Sequence, residues 1–423
     1  YTFSSTNESD CAVNKTMIYV GANDGMLHAF KDCDGSEAWA FVPQDLLSNL
    51  SYLRGQTHSY FVDSSASLYK YDADSDGNIE TADGDKAIII FGERRGGGQD
   101  AAPTTGFYYA LDVSDPASPV YMWRLSNTVS PSGTNTDYSE LGETWSEPKI
   151  VKMKIDVSGT DIEKIVAIIS AGYDNIHEDT RYGATQTFSD ATSVVITATG
   201  SGAVTSSGTG SASSLTNPKG RGIYIVEVAQ LASASPFAPS FTNSGRKIWG
   251  FTYGATDTAT TSAAMTFSIP SEVSALDTDY NGYVDRFYVG DTDGNIWRFN
   301  VGSSSTSSWT ARKIFSANPG SGGSTDVGRK IFYKPSVAID YGYTVLAFGT
   351  GDREHPLNWY DATTNPIRDR MYLVKDKDSD QTTTVVEDHT DNVHELVDVT
   401  DDYLQACSAD CSQIDTILSN LNT

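Results

Sequence analysis

The chain reads Asp277-Thr-Asp-Tyr-Asn-Gly-Tyr-Val-Asp-Arg-Phe-Tyr-Val-Gly-Asp-Thr-Asp-Gly-Asn-Ile-Trp-Arg-Phe-Asn300 in its most informative stretch. The residues up to Asp285 alternate acids and amides around a glycine, a composition typical of calcium-binding loops. The residues after it form two apolar segments around Asp-Gly, and Asp-Gly supplies the backbone angles of a tight hairpin turn. The stretch therefore predicts a calcium loop that leads into a β-hairpin.

The hairpin pattern recurs along the chain. Each copy has an apolar strand that ends in glycine, a gap of variable length, and a second strand that carries aromatic residues. The copies are Met17-Ile-Tyr-Val-Gly21 with residues 25–30, Ile88-Ile-Ile-Phe-Gly92 with residues 106–112, residues 167–172 with 222–228, residues 287–290 with 294–299, and residues 345–349 with 370–374. Repetition of such a unit predicts a β-propeller.

Further strand-like segments frame these copies. Innermost strands are predicted to open at Ser59-Tyr-Phe-Val62, Trp145-Ser-Glu-Pro148, Phe267-Ser-Ile-Pro270 and Tyr333-Lys-Pro335. Outer strands are predicted at Ala38-Trp-Ala-Phe41, Val120-Tyr-Met-Trp123, Lys247-Ile-Trp-Gly-Phe251 and Ala311-Arg-Lys-Ile-Phe315. The fold class is therefore all-β, a propeller with about five visible blades and long insertions between strands. The first copy lacks an innermost strand, so we expect the C-terminal region or sequence absent from this chain to complete the ring.

The chain divides into two predicted parts. Residues 1–378 are expected to form the propeller, with an insertion rich in Ser, Thr and Gly at 185–219. Residues 379–423 are expected to form an acidic extension, in which 411–421 is predicted to form a short helix. The start at Tyr1, without a methionine, suggests a processed or excised piece.

Charge and cysteine content bound the function classes. The net charge is −26, from 55 acidic and 29 basic residues, which disfavours nucleic acid and anionic lipid as partners and favours divalent cations. No apolar run reaches the length of about 18 residues that a membrane span needs. The four cysteines allow three pairings. The local pairs Cys11–Cys33 and Cys407–Cys411 are favoured, which indicates an oxidising, extracellular setting.

Two loops carry the pattern of a calcium site. The first offers Asp277, Asp279 and Asn281 at positions one, three and five, with Tyr283 (through its carbonyl) and Asp285 after Gly282. The second offers Asp72, Asp74, Asp76, Asn78 and Asp83, the last at position twelve. Ca²⁺ prefers such oxygen ligands around a sharp turn. Because the flanking segments resemble strands, we predict strand–loop–strand units. The alternative is that both are Asp/Asn/Gly turns that bind nothing.

Other acidic segments fit a calcium site less well. Asp376-Lys-Asp-Ser-Asp380 begins like the two loops but has Gln381 where the glycine is needed, and it predicts a solvated loop. His389 and His394 lie five residues apart among acids. That segment is interpreted as an exposed acidic loop rather than a transition-metal site.

The chain resembles the PilY family of type IV pilus tip-associated proteins. The similarity is carried by Gly21-Ala-Asn-Asp-Gly-Met-Leu-His-Ala-Phe30, Trp39-Ala-Phe-Val-Pro43, Tyr60-Phe-Val-Asp63, Tyr109-Ala-Leu-Asp112, Gly142-Glu-Thr-Trp-Ser-Glu-Pro148 and residues 290–299. It implies a quinoprotein-dehydrogenase-like propeller without enzymatic activity, located at the extracellular cell surface. The implied roles are pilus assembly, adhesion and calcium-tuned extension and retraction, with minor pilins of the pilus tip and host or abiotic surfaces as partners.

The resemblance also locates the family's calcium loop on Asp277, Asp279, Asn281 and Asp285, with Tyr283 as carbonyl donor. The family normally continues into a closing segment, which this chain lacks after Thr423, and its large N-terminal adhesive region is absent as well.

Two other function classes stay open. A pyrroloquinoline-quinone dehydrogenase shares the propeller repeat, but such enzymes gather acids around a central funnel and many have adjacent cysteines. A calcium-dependent carbohydrate-binding module is the second alternative, with Trp359 and Tyr360 as candidate stacking residues.

Overall fold

The computed structural model describes residues 9–55, 58–97, 106–131, 138–175, 184–190, 193–198, 214–216, 219–233, 238–253, 255–256, 265–317, 329–354, 369–377 and 385–386. Most regular structure in these ranges is β-strand. The 3₁₀ helices found there are Asp45–Arg54, Thr81–Asp83, Arg94–Gly96 and Thr306–Ser308. Within these ranges, no helix has the length and apolarity needed to cross a lipid bilayer.

Five sheets follow one another in sequence, and each is called a blade. Blade 1 contains β1 (Met17–Gly21), β2 (Leu27–Lys31) and β3 (Glu37–Phe41), and blade 2 contains β4 (Ala66–Tyr71), β5 (Lys86–Phe91), β6 (Tyr108–Asp112) and β7 (Val120–Leu125). Blade 3 begins with β8 (Lys149–Val157) and β9 (Thr160–Ser170). A separate sheet of β10 (Ala184–Asp190), β11 (Ser193–Ala198) and β12 (Ser214–Thr216) follows.

Blade 3 continues with β13 (Gly222–Leu231), β14 (Pro239–Ser240), β15 (Lys247–Thr252) and β16 (Ala255–Thr256). Blade 4 contains β17 (Ser274–Leu276), β18 (Arg286–Gly290), β19 (Asn295–Asn300) and β20 (Thr310–Ser316), and blade 5 contains β21 (Ser336–Asp340), β22 (Tyr343–Gly349) and β23 (Met371–Lys377). The short β24 (Val385–Val386) pairs in parallel with β20, whereas the strand pairs inside the blades are antiparallel. Blade 1 has β1 at its edge, in agreement with the prediction that it lacks an innermost strand.

The hydrophobic cores lie between consecutive blades. Strand β5 shows why: Ile88 and Ile90 pack in the core shared with blade 3, while Ile89 and Phe91 pack in the core shared with blade 1. Similar cores join blade 3 to blade 4 around the fully buried Trp249, and blade 4 to blade 5. Because successive side chains of a strand point to opposite faces, blades buried on both sides need runs of apolar residues. Sheets stacked face to face in chain order are the packing of a β-propeller.

The glycines at the end of β1 and directly after β5 are required for a steric reason. A Cβ on Gly21 would lie 2.6 Å from the carbonyl oxygens of Val62 and Ser64, and a Cβ on Gly92 would lie 2.6 Å from the carbonyl oxygen of Thr144. In both cases the chain of the following blade crosses directly over the strand end. At these two positions the glycine of the repeated motif is therefore needed for close approach of neighbouring backbones.

The innermost strands begin later than the sequence suggests. Strand β8 begins at Lys149, after the segment that ends in Pro148, and β4, β17 and β21 likewise follow their predicted openings. Proline cannot donate to a strand ladder, which is one reason that the aromatic-proline segments stay outside the sheets. Trp145 of these segments packs instead with Tyr173 and with Phe332, which directly precedes Tyr333, in a small buried cluster.

Several predictions concern the chain ends and the insertions. The Cys11–Cys33 disulfide is present, with its Cα atoms 5.2 Å apart. The pair Cys407–Cys411, the helix at 411–421, the histidines at 389 and 394, and Trp359 with Tyr360 lie outside the described residues. Asp376 departs from the predicted solvated loop, because it belongs to β23 and is 5% exposed.

Candidate metal centre

The loop of blade 4 joins β17 to β18 and gathers three carboxylates. Oxygen atoms of Asp277, Asp279 and Asp285 all lie within 4.8 Å of one another. This is the set that the sequence predicts at positions one, three and nine. The connection is a short excursion between two paired strands, which fixes its two ends: Leu276 pairs with Arg286 in the sheet.

Backbone hydrogen bonds hold these carboxylates towards the centre of the loop. Asp277 accepts from the amide nitrogen of Gly282 at 2.7 Å and from that of Asn281 at 3.0 Å. The side-chain oxygen of Asn281 accepts from the amide of Tyr283 at 2.9 Å. Asp285 accepts from the amide and the hydroxyl of Thr278, at 2.8 and 2.7 Å. The loop thus winds around its own acidic side chains.

The tight turn depends on two residues in the left-handed region. Gly282 has φ of +88°, and Tyr280 has φ of +59°. Glycine adopts this conformation readily, whereas a tyrosine in it is uncommon. The side chain of Tyr280 is 78% exposed, so the loop presents an aromatic ring to solvent.

The loop of blade 2 has the same construction between β4 and β5. Oxygen atoms of Asp72, Asp74 and Asp85 lie within 4.8 Å of one another. Asp72 accepts from the amide of Gly77 at 2.9 Å, as Asp277 does from Gly282. The left-handed residues also correspond, since Ser75 has φ of +62° and Gly77 has φ of +94°.

The third carboxylate of the blade 2 loop differs from the sequence prediction. Asp83 lies in the 3₁₀ turn Thr81–Asp83 and is not one of the three clustered carboxylates. Asp76 is not one of them either. The cluster contains Asp85 instead, which is 1% exposed and accepts from the amides of Ala73 and Glu80 at 2.8 and 2.9 Å. Asp85 stands directly before β5, as Asp285 stands directly before β18. In both loops the third carboxylate therefore belongs to the acid directly before the second strand. The twelve-residue spacing of a helix–loop–helix calcium site does not identify that acid.

The donor chemistry of both loops fits a hard divalent cation. Carboxylate, amide and backbone carbonyl oxygens are the ligands of Ca²⁺, while soft sites use thiolate or imidazole. Three carboxylates so close together repel one another unless a cation or protons lie between them. In the blade 4 loop, Asp277, Asp279 and Asp285 are the residues that would hold such an ion, and the Asn281 side chain and the Tyr283 carbonyl would be further donors. In the blade 2 loop, Asp72, Asp74 and Asp85 occupy the corresponding places.

Comparisons with known proteins agree on one family. A family model described as the PilY1 beta-propeller domain matches residues 2–219, just over half of the chain. A type IV pilus biogenesis factor PilY1 homolog of Xylella fastidiosa is 27% identical over 294 residues, which cover 69% of this chain and 14% of the relative. Type IV pilus biogenesis factor PilY1 of Pseudomonas aeruginosa strain PAO1 is 32% identical over 141 residues, or 32% of this chain and 10% of the relative.

Among solved structures, the Pseudomonas aeruginosa PilY1 C-terminal domain is similar, with a TM-score of 0.49 and 19% identity. The similarity covers 88% of this chain and 60% of that domain. The chain thus spans a small part, 10–14%, of the length of the curated relatives it matches.

Proposed function

The chain belongs to the PilY1 beta-propeller family, and we propose that it is the calcium-binding, non-enzymatic propeller of a type IV pilus biogenesis protein at the cell surface. The observation that carries the calcium part is the pair of loops built alike in blades 2 and 4, each with three clustered carboxylates. The pilus part is supported by the names of the curated relatives, both of which are called type IV pilus biogenesis factors. Those names also favour the non-enzymatic function over the quinoprotein alternative.

Calcium would act on the connection between neighbouring strands. An ion bound by Asp277 and Asp285 would join the end of β17 to the start of β18, because these residues flank the two strands directly. A ligand that binds only the folded state stabilises it by about 2.7 kcal/mol at a hundredfold excess over Kd. Exposed loops with several carboxylates are expected to bind with Kd of about 10⁻⁴ to 10⁻⁶ M. Extracellular millimolar calcium would then fill both loops.

Titration calorimetry on the whole chain tests this proposal. The wild type is expected to bind two calcium ions, Asp277→Ala one, and Asp74→Ala one. Asp34→Ala is the matched control, because Asp34 is an exposed acid in a hairpin turn and accepts from the amide of Ser36 at 2.9 Å without belonging to either loop. Unchanged stoichiometry in Asp277→Ala would show that the blade 4 loop is a turn and nothing more.

The pilus role needs a test in cells. We propose that the calcium-loaded propeller supports pilus extension against retraction, and that it contacts minor pilins at the pilus tip and a host or abiotic surface. Replacing the chromosomal copy by Asp277→Ala should make the number of surface pili and the attachment of cells insensitive to calcium, while Asp34→Ala should behave as wild type. Normal calcium dependence in the Asp277→Ala strain would argue against this role.

A carbohydrate-binding function is favoured by one specific observation. The aromatic ring of Tyr280 is exposed at the tip of a calcium loop, and exposed aromatic rings provide stacking surfaces for sugar rings. A glycan array probed with calcium and then with chelator separates this function from protein docking. Calcium-dependent binding to sugars that is lost in Tyr280→Ala would support it, and an array without such signals would exclude it for the sugars displayed.

A further inference from the structure

The side chain of Tyr283 leaves the calcium loop and packs on the neighbouring blade. The ammonium nitrogens of Lys152 and Lys154, both on β8, lie 4.7 Å from the centre of its ring. Its hydroxyl donates a hydrogen bond to Glu163 on β9, and this bond raises the pKa of Tyr283 to about 12. The ring is therefore held by the hairpin that β8 and β9 form in blade 3.

Backbone contacts extend this interface on both sides of the ring. The amide of Val284 donates to the carbonyl oxygen of Lys152 at 3.0 Å, and the amide of Asp156 donates to that of Ser304 at 2.8 Å. Between the hairpin and the loop lies a cavity of about 510 Å³. Lys154 and Asp161 of the hairpin line it on one side, and Asp279, Tyr283 and Asp285 of the loop line it on the other.

We propose that the β8–β9 hairpin of blade 3 is part of the blade 4 calcium site, with Tyr283 as the positioning residue that connects them. This inference rests on the calcium binding proposed above. In this arrangement the backbone carbonyl of Tyr283 binds the ion, and its side chain binds blade 3. The position of the side chain therefore constrains the position of the carbonyl, and the bound ion in turn constrains the side chain. Coupling between two sites is reciprocal. The hairpin therefore strengthens calcium binding, and calcium stabilises the hairpin.

The blade 2 loop makes a different contact at the corresponding position and serves as an internal comparison. Its residue at the seventh position is Asn78, whose side-chain amide donates to Asp76 at 2.9 Å inside the same loop. Calcium in that loop is accordingly expected to stabilise blade 2 locally. The two loops thus have similar ligands and different connections to the rest of the molecule.

Hydrogen–deuterium exchange with and without calcium tests the coupling on the whole chain. Calcium should slow exchange across the turn between β8 and β9 by roughly three- to tenfold, the range expected for the net contribution of one ordinary hydrogen bond. Tyr283→Phe keeps the carbonyl and the ring but removes the hydroxyl, and it should weaken calcium binding at this loop by a similar factor. Tyr280→Phe is the matched control, because it makes the same change in the same loop on an exposed ring.

A double-mutant cycle with Glu163→Ala assigns the effect to the hydrogen bond. If Tyr283 and Glu163 act together, Tyr283→Phe should change calcium affinity by less than about twofold once Glu163 is absent. Normal calcium binding without protection of the hairpin, or a Tyr283→Phe protein that behaves like Tyr280→Phe, would overturn the coupling while leaving the calcium site in place. Absence of any calcium binding would remove both proposals together.

Discussion

Single glycines set how closely the blades approach one another. Gly92 directly follows β5 where the carbonyl oxygen of Thr144 passes over it, so an added methyl group would contact backbone rather than a movable side chain. Gly349 ends β22 at the equivalent place in blade 5, yet among the described residues a Cβ there would meet its nearest atom, the carbonyl oxygen of Arg370, at 3.8 Å. The same sequence motif therefore carries different steric constraints in different blades.

We predict that Gly92→Ala destabilises the protein by about 2–4 kcal/mol, because the blades must separate to admit the methyl group. Gly349→Ala should change the free energy of unfolding by less than about 0.5 kcal/mol. Urea denaturation of both variants measures the difference. Equal effects would show that blade packing does not cause the glycine requirement.

A second residue-scale feature is a buried carboxyl pair between blades 1 and 2. Glu93 is fully buried and accepts from the amide of Phe107 at 3.2 Å, while Asp45 accepts from the hydroxyl of Tyr109. Burial raises the pKa of Glu93 well above its usual range, and the nearby Asp45 raises it further. Burial also raises the pKa of Asp45, with Arg124 acting in the opposite direction. Glu93 is therefore expected to keep its proton to a higher pH than an exposed carboxyl group does.

This pair should make stability fall as the pH rises. A carboxyl group with a raised pKa in the folded state stabilises fully below its unfolded value, about 4, and loses that contribution as the pH passes through the folded value. Glu93→Gln removes the ionisation, so its thermal midpoint should depend less on pH above the usual carboxyl pKa of about 4. Asp115→Asn, at an exposed position, is the control. A wild type and a Glu93→Gln variant with parallel pH profiles would contradict the raised pKa of Glu93.

At the residue scale, the sequence predicts most of the clustered carboxylates of the two acidic loops but not all of them. The alternation in the blade 4 loop groups Asp277, Asp279 and Asp285, which the structure brings together, because all three are read off a short contiguous segment. The spacing of the blade 2 loop pointed to Asp83, whereas Asp85 joins the cluster. A 3₁₀ turn inside that loop changes which acid faces inward, and this depends on local chain path rather than on residue type. The binding of calcium itself stays a prediction.

At the scale of elements, blade 5 is attached to blade 4 by a buried ion pair. Asp376 on β23 contacts Arg298 on β19 through both of its oxygens at 2.9 Å, and Tyr288 on β18 donates to it at 2.7 Å. Arg298 is fully buried, so this carboxylate lies against a guanidinium that is shielded from water. The alternation of β23 explains the attachment, since Tyr372, Val374 and Asp376 face blade 4 while their neighbours are exposed.

Removing the side chain of Asp376 should therefore lower the free energy of unfolding far more than removing the charge of the next residue. We expect Asp376→Ala to destabilise the protein by about 3–5 kcal/mol, because it leaves the guanidinium of Arg298 buried without its carboxylate. Lys377→Ala changes the next residue of the same strand, which is exposed, and should have almost no effect. Chemical denaturation compares the two. A loss below about 1 kcal/mol in Asp376→Ala would exclude a structural role for the pair.

The elements differ in how well the sequence predicts them. The central strand pairs were predicted closely, because glycine ends one strand and apolar runs mark both. The outer strand β15 begins at Lys247, as its apolar pattern indicates. The innermost strands begin later than predicted, since aromatic residues such as Trp145 are held by a tertiary cluster with Tyr173 and Phe332. Residue type alone does not distinguish those aromatics from strand residues.

At the scale of the whole molecule, the two acidic loops for which calcium binding is proposed belong to blades 2 and 4, with blade 3 between them in the chain. Sites without shared partners usually contribute additively, within about 0.5 kcal/mol. We therefore predict that the losses of calcium-dependent stabilisation in Asp74→Ala and Asp277→Ala add up in the double variant. Thermal unfolding with calcium and with chelator measures each loss. A double variant that retains calcium-dependent stabilisation would require a further site.

The order of the blades was predictable from the sequence, and their closure was not. Each repeat in the sequence predicts one sheet, and the hydrophobic cores confirm that consecutive sheets pack together. The segment that pairs with the edge strand β1 is not identified in this way. Its candidate segments at 387–423 lie outside the described residues. Short repeated patterns determine local pairing, whereas the joining of the first and last blades depends on contacts between distant parts of the chain.

The excursion between β9 and β13 leaves and re-enters blade 3 at adjoining points. Ser170 pairs with Ile223 across the two strands, and the amide of Lys219 donates to Asp174 at 2.7 Å where the excursion returns. A foreign module whose termini lie close together should fit between these points, for example a fluorescent reporter or an affinity tag in place of residues 176–218. Such a graft would let the propeller be followed by light microscopy on living bacteria while its sheets keep their register.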